Sequence, residues 1–354
     1  MTQKRVLVAL SGGVDSAVAA LRLSAMGYQV AGVNFLLHSD DTGSGAEALC
    51  RQLGIPFERL DLRQEFRQAV IAAAAGEYIA GRTPNPCCEC NEQIKFAFLH
   101  RCMKEGGFDF IATGHFVSTC CRDSICRVVR GADRGKDQSY FLYRVPPEIL
   151  KNCIFPLGGI TKPEVREEAR KAGLSCSEKP ESQDICFAVP GECCGDTLLR
   201  LAGLAESGCC RPGDFIYEGC KVGTHQGIHR YTVGQRKGLG VALGRPGYVR
   251  KLDAKSGTVE LVTDEELLAA AEFSLGRCVW HGGIPAGESG ELTVQIRYRS
   301  FPVPAGVEVD AADPQKAKVR LAAPLRAVTP GQAAVFYCGG EVIGGGVIDD
   351  GVLL

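Results

Sequence analysis

Three cysteines occupy four positions of TPNPCCECNEQIKF (Thr83–Phe96): Cys87, Cys88 and Cys90. A fourth, Cys186, stands between Ile185 and Phe187 in KPESQDICFAVPGE (Lys179–Glu192). A thiolate can act as nucleophile, metal ligand or partner in disulfide exchange. The Cys87/Cys90 pair has C-x-x-C spacing, and with Cys186 it would offer three thiolates to zinc or an iron–sulfur cluster. Spacing alone leaves a metal clamp, half of a disulfide and a reactive thiol all open. Taken singly, Cys186 reads more readily as a small buried hydrophobe than as a reagent.

A second chemical signature lies near the amino end. RVLVAL (Arg5–Leu10) reads as a buried parallel strand, SGGVDS (Ser11–Ser16) as a tight turn, and AVAALRLSAMG as an amphipathic helix ending at Gly27. Strand, glycine turn and helix N-terminus together form an anion site. Gly12 and Gly13 let backbone N–H groups approach a phosphate, and Ser11 and Ser16 add hydroxyls. Asp15 would repel a phosphate unless it carries Mg²⁺ or caps the helix amides. The loop lacks the lysine of G-x-x-x-x-G-K-[ST], and a plain capped turn is the competing reading. The full string resembles the PP-loop of the N-type ATP pyrophosphatases, which cleave ATP between its α and β phosphates and adenylate a carbonyl oxygen. That resemblance implies ATP contacts from Ala9, Leu10, Ser11, Gly12, Gly13, Val14, Asp15 and Ser16.

Two further apolar runs, YQVAGVNFLLH and FDFIATGH (Phe108–His115), extend the expected α/β doubly wound parallel sheet. Ligands of such sheets sit beyond the carboxyl ends of the strands, which brings Phe35, Gly114 and His115 toward the nucleotide. For Phe35, strand-end packing is the simpler account. Thr161 and Glu164 in FPLGGITKPEVREEARKAGL form a T-x-x-E capping box, with Pro163 in the first turn and Gly173 ending the helix.

The bulk numbers set outer limits. A chain of 354 residues predicts two to three domains, and 45% apolar with 23% charged residues is ordinary for a globular protein. The amino end, basic and then apolar, runs into the glycine turn without a cleavage site, so no signal peptide is expected. No apolar run approaches a membrane span. A cytoplasmic protein with reduced thiols is the expectation, and most of the eighteen cysteines then serve as small fillers.

PP-loop, TPNPCCECN, ATGH, KDQSYFL, FPLG, ESQDICF and YTVGQRKGLG occur in that order over more than three hundred residues. In this order and spacing the chain resembles the tRNA-specific 2-thiouridylases (MnmA/TrmU type) along essentially its whole length. The resemblance implies an enzyme that adenylates the C2 oxygen of the wobble uridine, position 34, at the cost of ATP. Cys186 would then carry a persulfide received from a donor protein and deliver its sulfur to C2. Cys90 would assist release of that sulfur and end in a transient disulfide with Cys186. Cys87 aligns with an aspartate in some relatives, so a thiol there weakens any carboxylate acid–base role. GHFVS replaces the more familiar GHYAR, which removes a basic side chain near the site.

Beyond about residue 200 short β-like runs alternate with Gly and Pro, as in small barrels. Between Lys221 and Lys255 stand eight Lys/Arg and one acid, Asp253, a local balance of +7 in a chain of −1. A solvated face is the bland account; GQRKGLG, with Arg236 and Lys237 between glycines, reads better as a phosphate-contacting surface. In VQIRYRS (Val294–Ser300) strand alternation would set Arg297 and Arg299 on one face and Tyr298 on the other. The resemblance implies tRNA contacts from His115, Lys136, Asp137, Gln138, Gln235, Arg236, Lys237, Arg297, Tyr298, Arg299 and Gln332, gripping the anticodon arm. By composition alone, Lys136–Gln138 is a solvated turn and Gln332 a turn residue.

The expected divisions are a PP-loop catalytic domain over 1–198, a central β-rich domain over 199–268 and a C-terminal β-barrel over 269–354. The alternatives are another PP-loop ATP pyrophosphatase that makes an amide or amidine, or a non-enzymatic zinc-stabilised RNA-binding module.

Overall fold

The computed structural model describes residues 3–38, 42–180, 185–205, 211–283 and 292–353. Glu181, Ser182, Gln183 and Asp184 of the ESQDICF motif and the Cys209–Cys210 pair lie outside the described residues.

The amino-terminal layer is a parallel sheet of five strands: β1 (Arg5–Ala9), β2 (Gln29–Leu36), β3 (Phe57–Asp61), β4 (Phe110–Ala112) and, last, β7 (Cys153–Ile154). Their order is β3-β2-β1-β4-β7, so the winding reverses between β1 and β4. Alternate residues go to opposite faces. Leu7, Val33 and Ile111 enter one core, while Val6, Val8, Val30 and Ala112 enter another. Burial on both faces makes this a doubly wound sheet, as the apolar runs predict. β3 has no counterpart in those predictions. Its sequence, FERLD, is polar and largely exposed because it is an edge strand.

The first helix spans Val14–Ala25, and the chain reverses at Gly27 with φ +88°. The helix Lys162–Lys171 carries the predicted capping box: Glu164 accepts the Thr161 N–H at 2.7 Å, and Gly173 follows at φ +64°.

Between β4 and β7 a hairpin, β5 (Val117–Arg122) and β6 (Ile125–Arg130), leaves the parallel sheet altogether. It extends the antiparallel sheet of the carboxyl-terminal barrel, where β6 neighbours β17 (Glu341–Leu353). Asp123 (φ +49°) and Ser124 (φ +65°) form its turn, the geometry that suits two-residue hairpins. This turn sets Cys121 opposite Cys126, and the two are joined by a disulfide. The expectation of reduced thiols therefore fails at this pair. The cause is local: strand register alone brings the two residues to a Cα separation of 4.0 Å.

The central region builds a four-stranded sheet, β10-β11-β8-β9, from β8 (Gly213–Tyr217), β9 (Cys220–His225), β10 (Tyr248–Asp253) and β11 (Thr258–Val262). Phe215, Ile228, Tyr231, Val249 and Leu261 fill its core. The barrel is made of β12 (Ala269–Trp280), β13 (Leu292–Gln295), β14 (Val303–Val309), β15 (Ala317–Arg326), β16 (Ala333–Cys338) and β17. The β12–β17 pairing closes it, leaving Phe273, Val319 and Phe336 inside.

Candidate active site and RNA face

The glycine turn follows β1 at the switch point of the sheet. Gly12 has φ +75°, and Gly13 is the helix N-cap. The Ser16 hydroxyl closes the turn from within, accepting the Ser11 N–H at 3.2 Å and donating to the Gly13 carbonyl at 3.1 Å. Gly114, just beyond β4, abuts it so tightly that a Cβ there would lie 2.7 Å from Asp15 C and Ser16 N. Only glycine permits that approach. Two lysines that sequence reading missed converge on the same turn. Lys162 Nζ is 2.5 Å from Asp15 Oδ1, and Lys179 Nζ donates to the Gly12 carbonyl at 3.3 Å. A groove of about 680 Å³ opens beside them, lined by Asp133, Lys136, Lys162, Arg166 and Arg170 among others. Phe35 is buried in the sheet core, as the packing account has it.

The thiols lie on two consecutive helical pieces, Pro86–Glu89 and a π-helical run Cys90–Phe96. Asn91 Nδ2 donates to the Phe141 carbonyl at 3.1 Å, Glu92 pairs with Arg144 at 2.6 Å, and Glu89 pairs with Arg277 at 2.8 Å. These contacts fix the helix against KDQSYFL and the barrel. Cys88 is buried at the Tyr140 carbonyl, a packing position. Cys90 is 4% exposed, Cys87 half-buried and Cys186 exposed. Burial pushes the Cys90 thiol up to about 12 despite the opposing Lys95, with Cys186 and Cys87 adding to the rise. Cys87 shifts upward for the same leading reason, with Cys186 and Cys194 also near. Burial works against the Lys95 ammonium, yet Cys90, Cys87 and Cys186 together hold it above the ordinary lysine range. Cys87, Cys90 and Cys186 thus all act electrostatically on one cation, Lys95. Sequence reading missed this cation: Lys95 stands in NEQIKF, five residues after Cys90, a spacing that an α-helix would turn away from it. Cys90 carries a free thiol here. Among the described residues no set of three Cys, His, Asp or Glu is arranged to hold a metal ion.

His115 links the two centres. Its Nδ1 lies 2.8 Å from Thr113 Oγ1, and its ring faces Phe96 at 5.8 Å. Burial, then the Lys95 charge, lowers its pKa to about 3, so it is neutral at physiological pH.

The TPNP loop is held from outside its own segment. Thr83 N–H donates to the Pro330 carbonyl at 2.8 Å, and Thr83 Oγ1 to Thr232 Oγ1 at 3.1 Å. Gln332, expected at the RNA, spends its amide on the Thr83 and Pro84 carbonyls at 2.8 and 3.3 Å. Asp137 is likewise committed internally: it pairs with Arg130 at 2.8 Å and accepts from Ser139 and Gly131. Gln138 accepts the Phe116 N–H at 3.0 Å, while Lys136 faces the groove described above.

Strand alternation at VQIRYRS does not occur. β13 ends at Gln295, and Arg297–Arg299 form a turn in which Arg299 takes φ +80°. Arg297 donates to Thr329 Oγ1 at 2.8 Å and also to the Ala327 carbonyl, and Tyr298 stacks on Phe141 at 4.4 Å. Arg299 is exposed. In the basic stretch, Lys221, Arg230 and Arg250 pair with Asp214, Asp196 and Glu260, acids lying outside it. Gln235 shapes the turn, accepting from Thr232 N–H at 3.0 Å and donating to the Lys237 carbonyl at 2.9 Å. Arg236 and Lys237 are thereby held exposed.

A nucleotide-type turn at the switch point of a parallel sheet, followed by two β-modules, defines a HUP-domain protein with barrel extensions. A family model described as a tRNA methyl transferase HUP domain matches residues 4–190. Others, described as a tRNA methyl transferase PRC-barrel domain and an aminomethyltransferase beta-barrel domain, match 204–263 and 270–348. Relatives named tRNA-specific 2-thiouridylase MnmA align over nearly the whole length. Those of Geobacter metallireducens and Acidithiobacillus ferrooxidans are each 42% identical over 98% of this chain, covering 97% and 99% of their own. That of Chlorobium chlorochromatii is 40% identical over 99% of both. The chain belongs to the tRNA-specific 2-thiouridylase (MnmA) family. Among solved structures, a 4-thiouridine synthetase–RNA complex with bound ATP covers 58% of this chain and 53% of its own, at 17% identity and a TM-score of 0.35, too low to carry an argument.

Proposed function

We propose that the protein is an ATP-dependent tRNA uridine 2-sulfurtransferase acting at the wobble position. One observation carries this reading: the phosphate-type turn and the thiol group converge on the end of β4. Gly114 packs on the turn, and the next residue, His115, faces the thiol-bearing helix. The family-model descriptions speak of methyl transfer and the relatives' names of thiolation. Thiols beside a nucleotide turn support thiolation.

The chemistry follows from what uracil lacks. Its C2 oxygen is a poor leaving group, and adenylation makes that oxygen part of AMP, with pyrophosphate released. Asp15 is the carboxylate the turn offers to Mg²⁺ entering with ATP. A persulfide on Cys186, loaded by a persulfide-carrying donor protein, attacks C2 through its terminal sulfur, and AMP departs with the C–O electron pair. The Cys90 thiolate then attacks the Cys186 sulfur. The S–S bond breaks, its electron pair leaves on the 2-thiouridine, and a Cys90–Cys186 disulfide remains for an external dithiol to reduce. The tRNA anticodon arm would lie across the exposed Arg236–Lys237 turn and Arg299, in the cytoplasm where such substrates are met.

The test is incubation of the protein with tRNA, ATP and a persulfide donor, followed by nucleoside mass spectrometry. Formation of 2-thiouridine with AMP and pyrophosphate is expected. Adenylate formation without thiolation would return the reading to an amide- or amidine-forming relative.

A further inference from the structure

We propose that Lys95 is the counter-ion of the sulfur relay, its ammonium holding first the Cys186 persulfide anion and then the Cys90 thiolate. This rests on the roles given above to Cys90 and Cys186, but its evidence is separate.

The first support is backbone geometry. In an α-helix, residues five apart point roughly 140° away from each other. The run Cys90–Phe96 is π-helical, with i→i+5 bonding and wider turns, which swings Lys95 back to within roughly 50° of Cys90 around the axis. Such π-helical turns concentrate at functional sites. The second support is convergence: Cys87 from the preceding helical turn and Cys186 from a loop about ninety residues away both couple to the same ammonium. His115, whose pKa Lys95 also lowers, is neutral and adds no competing charge. Cys87 in turn faces Cys194 from the helix Cys194–Ala202.

One cation shared between two sulfurs gives the relay an order. A persulfide is a stronger acid than a thiol, so the loaded Cys186 takes the ammonium while Cys90 stays protonated in its buried position. Cys90 therefore cannot attack the persulfide early and waste its sulfur as sulfide. Once the terminal sulfur is bonded to C2, its charge has left with AMP and the ammonium is available to Cys90. The Cys90 proton then goes to solvent, and Lys95 itself transfers none. Lys95 is a positioning residue in this scheme.

The test uses Lys95→Met and Lys95→Arg in the full chain, with two readouts. Site-resolved iodoacetamide alkylation against pH reports ionisation of Cys186 and Cys90. Lys95→Met should raise both midpoints by about one unit, a roughly tenfold slower reaction at neutral pH, and Lys95→Arg should restore them. Single-turnover thiolation from pre-loaded protein should fall about tenfold in Lys95→Met, with the deficit narrowing as pH rises. Unchanged midpoints in a folded Lys95→Met protein overturn the proposal, as does a midpoint shift with thiolation unaltered. If Lys95→Met does not fold, Lys95→Gln carries the same comparison. Cys186→Ser separates the two levels: persistent thiolation in that variant would sink the assigned relay, while the Cys90 midpoint would still report on Lys95.

Discussion

Lys162 places its ammonium 2.5 Å from the carboxylate of Asp15, joining the helix after FPLG to the first turn of the helix after β1. The lysine side chain is 8% exposed and the aspartate 36%, so one charge is sheltered and the other faces the phosphate turn. An unaccompanied carboxylate there would repel ATP. Lys162→Met should raise the KM for ATP roughly tenfold, about 1.4 kcal/mol. Because Asp15 is partly solvated, the stability loss should stay near 1–2 kcal/mol. AMP formation against ATP concentration, with a denaturant melt, checks both. An unchanged KM would mean the pair serves only packing.

Gly331 stands at φ +90°, and a Cβ on it would lie 2.8 Å from Thr83 N, the start of the TPNP loop. Gly331→Ala should destabilise by about 1–3 kcal/mol and displace the loop. Thiolation should fall at least tenfold, while ATP binding, set by the distant turn, stays near wild type. Equal loss of both would point to global unfolding instead.

Arg236 and Lys237 sit exposed on a turn shaped by Gln235. Changing both to Glu should weaken tRNA binding and flatten the plot of log affinity against log salt by about 1.4–1.8, from 0.7–0.9 per lost contact. An unaltered salt slope would remove this turn from the RNA face.

Acid should destabilise the protein through two histidines. Burial, with Lys95, lowers the pKa of His115 to about 3; burial, with Arg127, lowers that of His281 to about 4. Both folded values lie below the unfolded value of about 6.5, so the unfolded chain takes up more protons once pH drops below it. The stability from the neutral rings is whole above pH 6.5 and is lost as pH falls toward 3–4. Urea unfolding at pH 7.5 and 5 should show the fall, and it should shrink in His281→Leu. A pH-independent stability would contradict this.

What the sequence made legible was local. SGGVDS, the Thr161/Glu164 box and TPNPCCECN each act within a few residues, where residue type dictates the turn or cap. Lys95 escaped because α-helical spacing turns it away from Cys90, and nothing in NEQIKF announces a π-helical run. Arg297 and Arg299 suggested strand alternation, but an Arg299 in left-handed conformation is held by contacts of its neighbours with Ala327, Thr329 and Phe141. Gln332 and Asp137 look like polar turn residues until the TPNP loop and Arg130 are set beside them. FERLD carried no strand signal because an edge strand needs no apolar alternation. The Cys121–Cys126 link was readable in principle, since C-x-x-x-x-C around a two-residue turn puts the cysteines opposite each other.

The hairpin β5–β6 reaches out of the nucleotide-binding layer to lie beside β17. Arg130 N–H donates to the Gly340 carbonyl at 3.0 Å, and Glu341 pairs with Arg122 and Arg127. Tyr140, in the same early segment, donates its hydroxyl to Ala333 at 2.8 Å. A ribosome emitting this chain therefore releases β6 some two hundred residues before the strand that covers it exists. Until then an open strand edge, flanked by cysteines, waits in the nascent protein, and pairings at such sequence separation form slowly. Cutting away the barrel would not free an independent catalytic half; it would return that half to its unfinished, aggregation-prone state during synthesis.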